Sequence, residues 1–167
     1  MELQLHRHDW RRRWPDWTVA AAAGFVAGAV LMVLELLWAT TVSGESPWQL
    51  LRMVAAIAMG PQTLEAGTFS VGVAAVALLT HYLLGVVFAL VLAVVIAGFS
   101  YDTSATMIHT LGALFGFGLY LFNFHGMSQF FPWMADLRGW STLIAHLVFG
   151  MTAAFLYWKF DRHFTDR

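Results

Sequence analysis

Residues 24–35, GFVAGAVLMVLE, contain the pattern that decides the fold: two glycines four residues apart, followed seven residues later by Glu35. Residues 112–123, GALFGFGLYLFN, repeat the same spacing and end on Asn123. An internal repeat constrains the architecture before any single residue is interpreted, because each copy must form the same structural unit. The sequence therefore predicts two copies of one unit, each with a glycine face for close helix packing and one polar residue.

The segments that follow the two glycine patterns also resemble each other. In each copy, a loop with a Pro-Trp pair and a Leu-Arg pair precedes an apolar stretch in which a histidine lies four residues before a glycine. These elements are Pro47-Trp48, Leu51-Arg52, His81 and Gly85 in the first copy, and Pro132-Trp133, Leu137-Arg138, His146 and Gly150 in the second. We expect the repeat halves to cover residues 17–98 and 106–160, each as a helical hairpin.

The composition is that of a multi-pass membrane protein. Of the 167 residues, 59% are hydrophobic and 11% are charged, which lies outside the usual composition of soluble globular domains. Apolar runs long enough to cross a bilayer, about 20 residues each, occur at 17–39, 71–98, 106–125 and 140–160. Each run should be a helix, because lipid offers the backbone no hydrogen-bond partner.

The predicted fold is all-α, an integral membrane four-helix bundle that forms a single domain over residues 1–167. Both hairpins cross the membrane in the same sense, so we expect parallel repeats related by a pseudo-two-fold axis along the membrane normal. The first external loop, about 40–70, is too long for a simple turn. Apolar residues at helical spacing over 47–59 predict a short amphipathic helix there, lying on the membrane surface and ending near Gly60-Pro61.

The distribution of basic residues predicts the orientation of the chain. A short arm over residues 1–16 and the C-terminal tail hold seven of the nine Lys and Arg residues, whereas the loops on the other side hold only Arg52 and Arg138. The positive-inside rule then places both termini in the cytoplasm, with the short connection 98–105 on the same side. The chain has no cysteine and a net charge of −1, which excludes thiolate ligands and gives no indication of nucleic-acid binding.

Polar residues within the predicted spans mark the candidate site, because charged and imidazole groups are costly inside a bilayer. Glu35 lies on the glycine face of the first span, and Asn123 takes the corresponding place in the third. His81 and His146 lie on small-residue faces of the second and fourth spans, and we expect His125 at the outer mouth. The four spans would each direct one polar group into the bundle in the outer leaflet. The predicted axis would place Glu35 opposite Asn123 and His81 opposite His146.

Several functions are compatible with this group. Glu35 and two histidines, with Asn123 or His125 as a further donor, suit Zn²⁺ or another divalent metal ion. His81 and His146 on facing helices could instead be the axial ligands of haem b. A Glu and His cluster could carry protons, and a quinone or another small-molecule head group could use the same polar atoms. For each residue taken alone, an interhelical hydrogen bond is the simpler interpretation.

The chain also resembles a known family. The resemblance is carried by Glu35-Leu-Leu-Trp38, Ser46-Pro47-Trp48, Leu51-Arg52-Met53, Phe131-Pro132-Trp133, Arg138-Gly139-Trp140 and His146-Leu-Val-Phe-Gly150. Together these segments look like a family of small four-span bacterial inner-membrane proteins, some of which are labelled sodium/proline symporters. The second and fourth spans are loosely similar to those of YagU-type inner-membrane proteins. The resemblance implies a bacterial inner membrane and assigns no site residue.

The leading hypothesis is a non-enzymatic inner-membrane protein that holds a cation, a proton or a cofactor between its helices near the periplasmic face, with transport as one role. No activated nucleophile or acid–base pair indicates an enzyme. The alternatives are an accessory or assembly subunit of a larger membrane complex, with a structural polar layer, and a small haem protein. We expect lipid around the bundle and association as a homo-oligomer or within a membrane complex.

Overall fold

The described part of the chain is helical and contains four long apolar helices. The computed structural model describes residues 14–44, 46–65, 67–99 and 104–165. The α-helices in these ranges are α1 (Trp17–Trp38), α2 (Pro47–Met59), α3 (Val71–Phe99), α4 (Ala105–Leu121) and α5 (Trp140–Thr165). α1, α3, α4 and α5, with the turns that extend them, are long and apolar enough to cross a membrane. The prediction of an all-α chain with four membrane-length helices is confirmed, as expected of a multi-pass membrane protein.

Parts of the predicted arm and connection lie outside the described residues. They are residues 1–13 at the N-terminus and residues 100–103 between α3 and α4. The four arginines of the arm are among them. The orientation of the chain, with both termini in the cytoplasm of a bacterial cell, stays a prediction.

α1 begins at a hydrogen-bonded cap. The Asp16 carboxylate accepts hydrogen bonds from the backbone amides of Thr18 (3.0 Å) and Val19 (3.1 Å), which have no acceptor within the first helical turn. Hydrogen bonds from the Val19 amide and the Thr18 hydroxyl hold the pKa of Asp16 below its usual value, because they favour the charged form. The Asp16 amide donates to the Tyr157 hydroxyl of α5 at 3.3 Å. The cap therefore fixes the start of the first span and links it to the last.

α1 and α4 both continue into a π turn close to the polar residue that the sequence pattern singles out. The turn after α1 covers Ala39–Ser43 and begins four residues beyond Glu35. The turn after α4 covers Phe122–Gly126 and contains Asn123. A π turn adds a residue to the helical repeat and is frequent at functional sites. Here both π turns lie at the same end of the bundle as α2.

The first hairpin, α1 with α3, is closed at a point where glycine brings two backbones together. A Cβ atom on Gly24 of α1 would lie 2.6 Å from the Cβ of Ala89 and 2.7 Å from the carbonyl oxygen of Gly85, both on α3. These separations are shorter than any side chain tolerates. Glycine is therefore required at position 24 for the observed helix separation.

The second hairpin, α4 with α5, is closed in the same way. Gly112 of α4 lies against the carbonyl group of Gly150, and Gly116 lies against the carbonyl group of His146. A Cβ at any of these three glycines would overlap backbone atoms of the facing helix. Because backbone atoms cannot rotate away as a side chain does, a larger residue would have to push the helices apart.

We predict that Gly116→Ala destabilises the protein by about 1–3 kcal/mol, the usual cost of overpacking a close contact, because the added methyl meets the His146 carbonyl. Gly118→Ala is the matched control on the same helix, since a Cβ there meets nothing within 4 Å. The control should be neutral or stabilising by up to about 1 kcal/mol, the helix-propensity gain from Gly to Ala. Reversible unfolding in mixed micelles measures both. Equal stabilities for the two variants would contradict the glycine contact.

The two hairpins meet mainly through α1 and α5. α1 packs along α5, whereas α3 meets the π turn after α4 through large side chains such as Phe88 and Phe122, whose ring centroids are 6.4 Å apart. A strict two-fold axis would make the α1–α5 and α3–α4 contacts equivalent, so the packing of the hairpins is not strictly symmetric. Small residues dominate the core, among them Ala20, Ala23, Ala27, Ala89, Ala93, Ala145, Ala153 and Ala154.

α2 packs against α3 and forms one wall of the bundle interior. It begins at Pro47, which suits a first helical turn, and it ends at Gly60, whose φ of 93° favours glycine. The Trp133 indole nitrogen donates to the Met53 carbonyl at 3.0 Å, which joins α2 to the second loop. A helix covers the predicted segment, and its residues Leu50, Met53, Val54 and Ile57 line an internal cavity. The amphipathic character expected of it stays a prediction. Its placement on the membrane surface stays a prediction.

Candidate functional site

Four polar side chains from four spans line one cavity at the α2 end of the bundle. They are Glu35 of α1, His81 of α3, Asn123 of the π turn after α4, and His146 of α5. The cavity, called the inner cavity below, has a volume of about 90 Å³. Most of its wall is apolar, including the face of α2. The structure therefore brings together the four residues that the sequence pattern placed at a common depth.

His146 is buried and has a hydrogen bond on each ring nitrogen. Its Nδ1 lies 2.8 Å from the Thr142 carbonyl oxygen one turn earlier on α5. A carbonyl oxygen only accepts, so Nδ1 carries the proton and Nε2 holds the lone pair. The Asn123 amide nitrogen lies 3.4 Å from Nε2 and donates to it. Asn123 thus pairs with the histidine of its own hairpin, because the contact at Gly116 holds α4 against α5 at this level.

The ring of His81 is held by a hydrogen bond from α3 to the backbone of α1. Its Nε2 lies 2.8 Å from the Gly28 carbonyl oxygen on α1, so Nε2 carries the proton and Nδ1 holds the lone pair. A Cβ on Gly28 would lie 3.7 Å from Nε2, an ordinary van der Waals contact, so a small residue at position 28 leaves room for the ring. The simpler interpretation of His81, an interhelical hydrogen bond, accounts for its Nε2.

We predict opposite neutral tautomers for the two histidines: the Nε2–H form for His81 and the Nδ1–H form for His146. Long-range ¹H–¹⁵N correlation spectra of protein labelled at histidine distinguish the two forms. His81→Gln and His146→Gln assign the signals. The same tautomer for both rings, or rapid exchange between forms in both, would contradict the hydrogen-bond pattern.

Glu35 differs from the other three residues because no described residue forms a hydrogen bond or an ion pair with it. Arg52 and Arg138, the two basic residues of the predicted external loops, interact with other groups. Arg138 donates from Nε to the Phe124 carbonyl at 2.6 Å, and the Arg52 guanidinium lies over the Trp48 ring, 6.0 Å from its centroid. Glu35 is half-buried and lines the inner cavity.

A second, larger space lies between the ends of α1 and α5. This vestibule has a volume of about 510 Å³ and is lined by Glu35, Leu50, Met53 and Leu137, all of which also line the inner cavity. Its other polar residues are Ser43, Gln49, Asp136, Arg138, Ser141 and Thr142. Glu35 therefore lies at the junction of the two spaces.

The structure does not assemble the donors expected of a metal centre. His125 is exposed and packs its ring against Tyr120, with 5.7 Å between centroids, and it does not line the inner cavity. Within the described ranges, no three His, Asp or Glu side chains are grouped so that they could hold a metal ion. The metal site predicted over Glu35, His81, Asn123, His125 and His146 thus has no preformed donor set there.

Haem b does not fit between His81 and His146. Both Nε2 atoms already have protein partners, the Gly28 carbonyl and the Asn123 amide. The inner cavity of about 90 Å³ is also small beside the roughly 300–1,000 Å³ of cofactor-sized pockets. We therefore assign no haem to this site.

Several features of the site do not follow from the sequence pattern. The pattern gives no sign of the π turns or of the Thr142 carbonyl as the partner of His146. It also does not show that the vestibule exists, since Asp136 and Ser141 come from a loop and a helix start that approach α1 only in three dimensions. The spacing of Leu50, Val54 and Ile57 did indicate an apolar helix face. It could not indicate that this face lines a cavity.

Comparisons with known proteins identify no relative of this chain: no family model, no curated protein and no solved structure matches it. The resemblance to small bacterial inner-membrane proteins stays a prediction. Function must therefore be inferred from the chemistry of the inner cavity and the vestibule.

Proposed function

We propose that this protein is a non-enzymatic membrane protein that holds a cation between its helices, with Glu35 as the principal ligand. The observation that carries the proposal is the position of Glu35, which borders both the inner cavity and the vestibule without a cationic partner among the described residues. A carboxylate inside a bilayer is costly unless it is hydrated, protonated or neutralised. A bound cation would neutralise the carboxylate, and the vestibule would give the cation access to it.

The predicted orientation places this site on the periplasmic side of a bacterial inner membrane. Both loops that would be external, with α2 and residues 127–139, lie at the same end of the bundle as the vestibule. Under the positive-inside rule this end faces away from the cytoplasm. The cation would therefore be held in the periplasmic half of the membrane.

We also propose that the two hairpins derive from one duplicated unit. The support is a set of matching contacts between the first and second helix of each hairpin. Gly24 meets the Gly85 carbonyl as Gly112 meets the Gly150 carbonyl. At the next matching position the same residue types meet through different atoms, since Gly28 faces the His81 ring and Gly116 faces the His146 carbonyl. A duplicated hairpin would supply a histidine to the cavity from each half, with Glu35 and Asn123 as the diverged pair.

The accessory-subunit alternative has weaker support. The exposed apolar side chains on α3 and α4, such as Leu79 and Leu114, cover the faces that lipid contacts in any four-span protein. They do not single out a surface for a protein partner. A partner would also leave the unpaired carboxylate of Glu35 unexplained.

Cysteine accessibility tests the route to Glu35, because the chain has no cysteine of its own. In sealed vesicles, we expect a membrane-impermeant maleimide to label Ser141→Cys and Glu35→Cys from the same side as Glu65→Cys, which marks the exposed loop after α2. Leu114→Cys is the control. It is 64% exposed, yet it should stay unlabelled because that surface faces lipid.

Two outcomes would overturn the proposal. If Ser141→Cys reacts and Glu35→Cys does not, the vestibule does not lead to the carboxylate. If Leu114→Cys reacts as fast as Glu35→Cys, the apolar helix faces are in water and the membrane setting is wrong. Mass spectrometry of the intact protein measures the labelled fraction in each case.

A further inference from the structure

We propose that the cation bound at Glu35 is a lipophilic organic cation, such as a hydrophobic amine or a quaternary ammonium or phosphonium ion, which enters sideways from the lipid between α1 and α5. This inference rests on the proposed function and names its ligand class. It is carried by the size of the vestibule, the chemistry of its wall, its charge and the position of its mouth.

The vestibule has the size of a site for an organic molecule, and its wall combines an apolar part with seven polar or charged residues among its sixteen. Its volume of about 510 Å³ falls within the roughly 300–1,000 Å³ of small-molecule pockets, which are mostly apolar with a few polar groups. Apolar side chains here come from α1, α2 and α5 and include Leu34, Trp38, Leu50 and Ile144. Trp38 adds an aromatic face, which attracts organic cations through its ring electrons.

The charges at the vestibule favour a positive ligand. It is lined by two carboxylates, Glu35 and Asp136, and by one guanidinium, that of Arg138. The guanidinium is already hydrogen-bonded to the Phe124 carbonyl and, at 2.8 Å, to the Ser128 hydroxyl. Glu35 also lines the inner cavity, so its carboxylate lies on the side of the vestibule that adjoins the inner cavity.

Part of the vestibule wall lies on the outer surface of the bundle. Leu34, Trp38 and Ile144 line the vestibule and are 37%, 43% and 53% exposed, so we place its mouth there. Leu34 and Trp38 belong to the candidate span Trp17–Ser43, and Ile144 belongs to the candidate span Trp140–Asp161. Since these residues face lipid in a membrane, a molecule dissolved in the bilayer meets the opening directly.

An inorganic cation is a poorer match. Hard cations such as Ca²⁺ take about six to eight oxygen ligands, with carboxylates prominent among them, whereas the acidic residues that line the vestibule are Glu35 and Asp136, and the cationic Arg138 lines it beside them. Transition metals need several histidine or carboxylate donors, and no such group occurs in the residues that the structure describes. Two carboxylates beside one guanidinium, with Trp38 and aliphatic side chains in the same wall, instead suit a large cation with diffuse charge.

Equilibrium binding to the full-length protein in lipid nanodiscs tests the inference, with tetraphenylphosphonium as the probe. We expect saturable binding at one site per chain. Glu35→Gln should weaken it by about tenfold or more, since the charge pair lies in a medium of low dielectric constant. Glu65→Gln, an exposed acid outside both spaces, is the matched control and should bind as the wild type does. Triphenylphosphine oxide, a neutral compound of similar shape, should bind more weakly and equally to wild type and Glu35→Gln.

The lateral entrance has its own pair of variants. Ile144→Trp adds bulk at the mouth and should slow tetraphenylphosphonium association several-fold. Leu114→Trp adds the same side chain to a lipid-facing position away from both spaces and should leave association unchanged. Both positions are more than half exposed, at 53% and 64%, so neither variant is expected to disturb folding.

Equal tetraphenylphosphonium binding by wild type and Glu35→Gln, or equally tight binding of the neutral compound, would overturn the inference. Binding that depends on Glu35 but is equally fast in Ile144→Trp and Leu114→Trp would overturn the lateral entrance. If maleimide labels Glu35→Cys and no tetraphenylphosphonium binds, the inferred ligand class is wrong, while the proposed accessible site at Glu35 still stands. If the maleimide does not reach Glu35→Cys, the proposed function itself fails.

Discussion

The contact of backbone with backbone at glycine is the constraint on which the rest of this structure depends. In lipid, apolar side chains gain nothing by leaving solvent for the protein interior, so helices associate through close packing and interhelical hydrogen bonds. Gly24 in the first hairpin, and Gly112 and Gly116 in the second, provide that packing. The alanine-rich core extends the same close packing along α1, α3 and α5.

The polar site follows from this packing. Because α1 lies so close to α3, His81 reaches the Gly28 carbonyl across the interface. Because α4 lies so close to α5, Asn123 reaches His146. Each histidine is thereby satisfied within its own hairpin, and the carboxylate of Glu35 is the group that faces open space. The two histidine hydrogen bonds link the helices of each hairpin. The unpaired carboxylate of Glu35 is the group with which we propose the protein binds a cation.

Much of the fold could be predicted from hydropathy and spacing, since both depend on the order of residues alone. The apolar runs predicted the four long helices and the glycine spacing predicted the packed faces. Glu35, His81, Asn123 and His146, which the pattern singled out, line one cavity. The partners of these residues could not be predicted. Asn123 was expected opposite Glu35, but the π turn at Phe122–Gly126 and the contact at Gly116 bring it to His146. His125 lies on the same π turn and is exposed, because two residues along a helix turn a side chain by about 200° to the opposite face.

Through-space solid-state NMR in lipid bilayers tests most directly whether packing at glycine brings these side chains together. Protein labelled at histidine, asparagine and glycine should show a contact between the Asn123 side-chain amide and the His146 ring, and a second contact between the His81 ring and Gly28. Loss of both contacts, with the two rings instead in contact with lipid acyl chains, would contradict the structure and every function drawn from it.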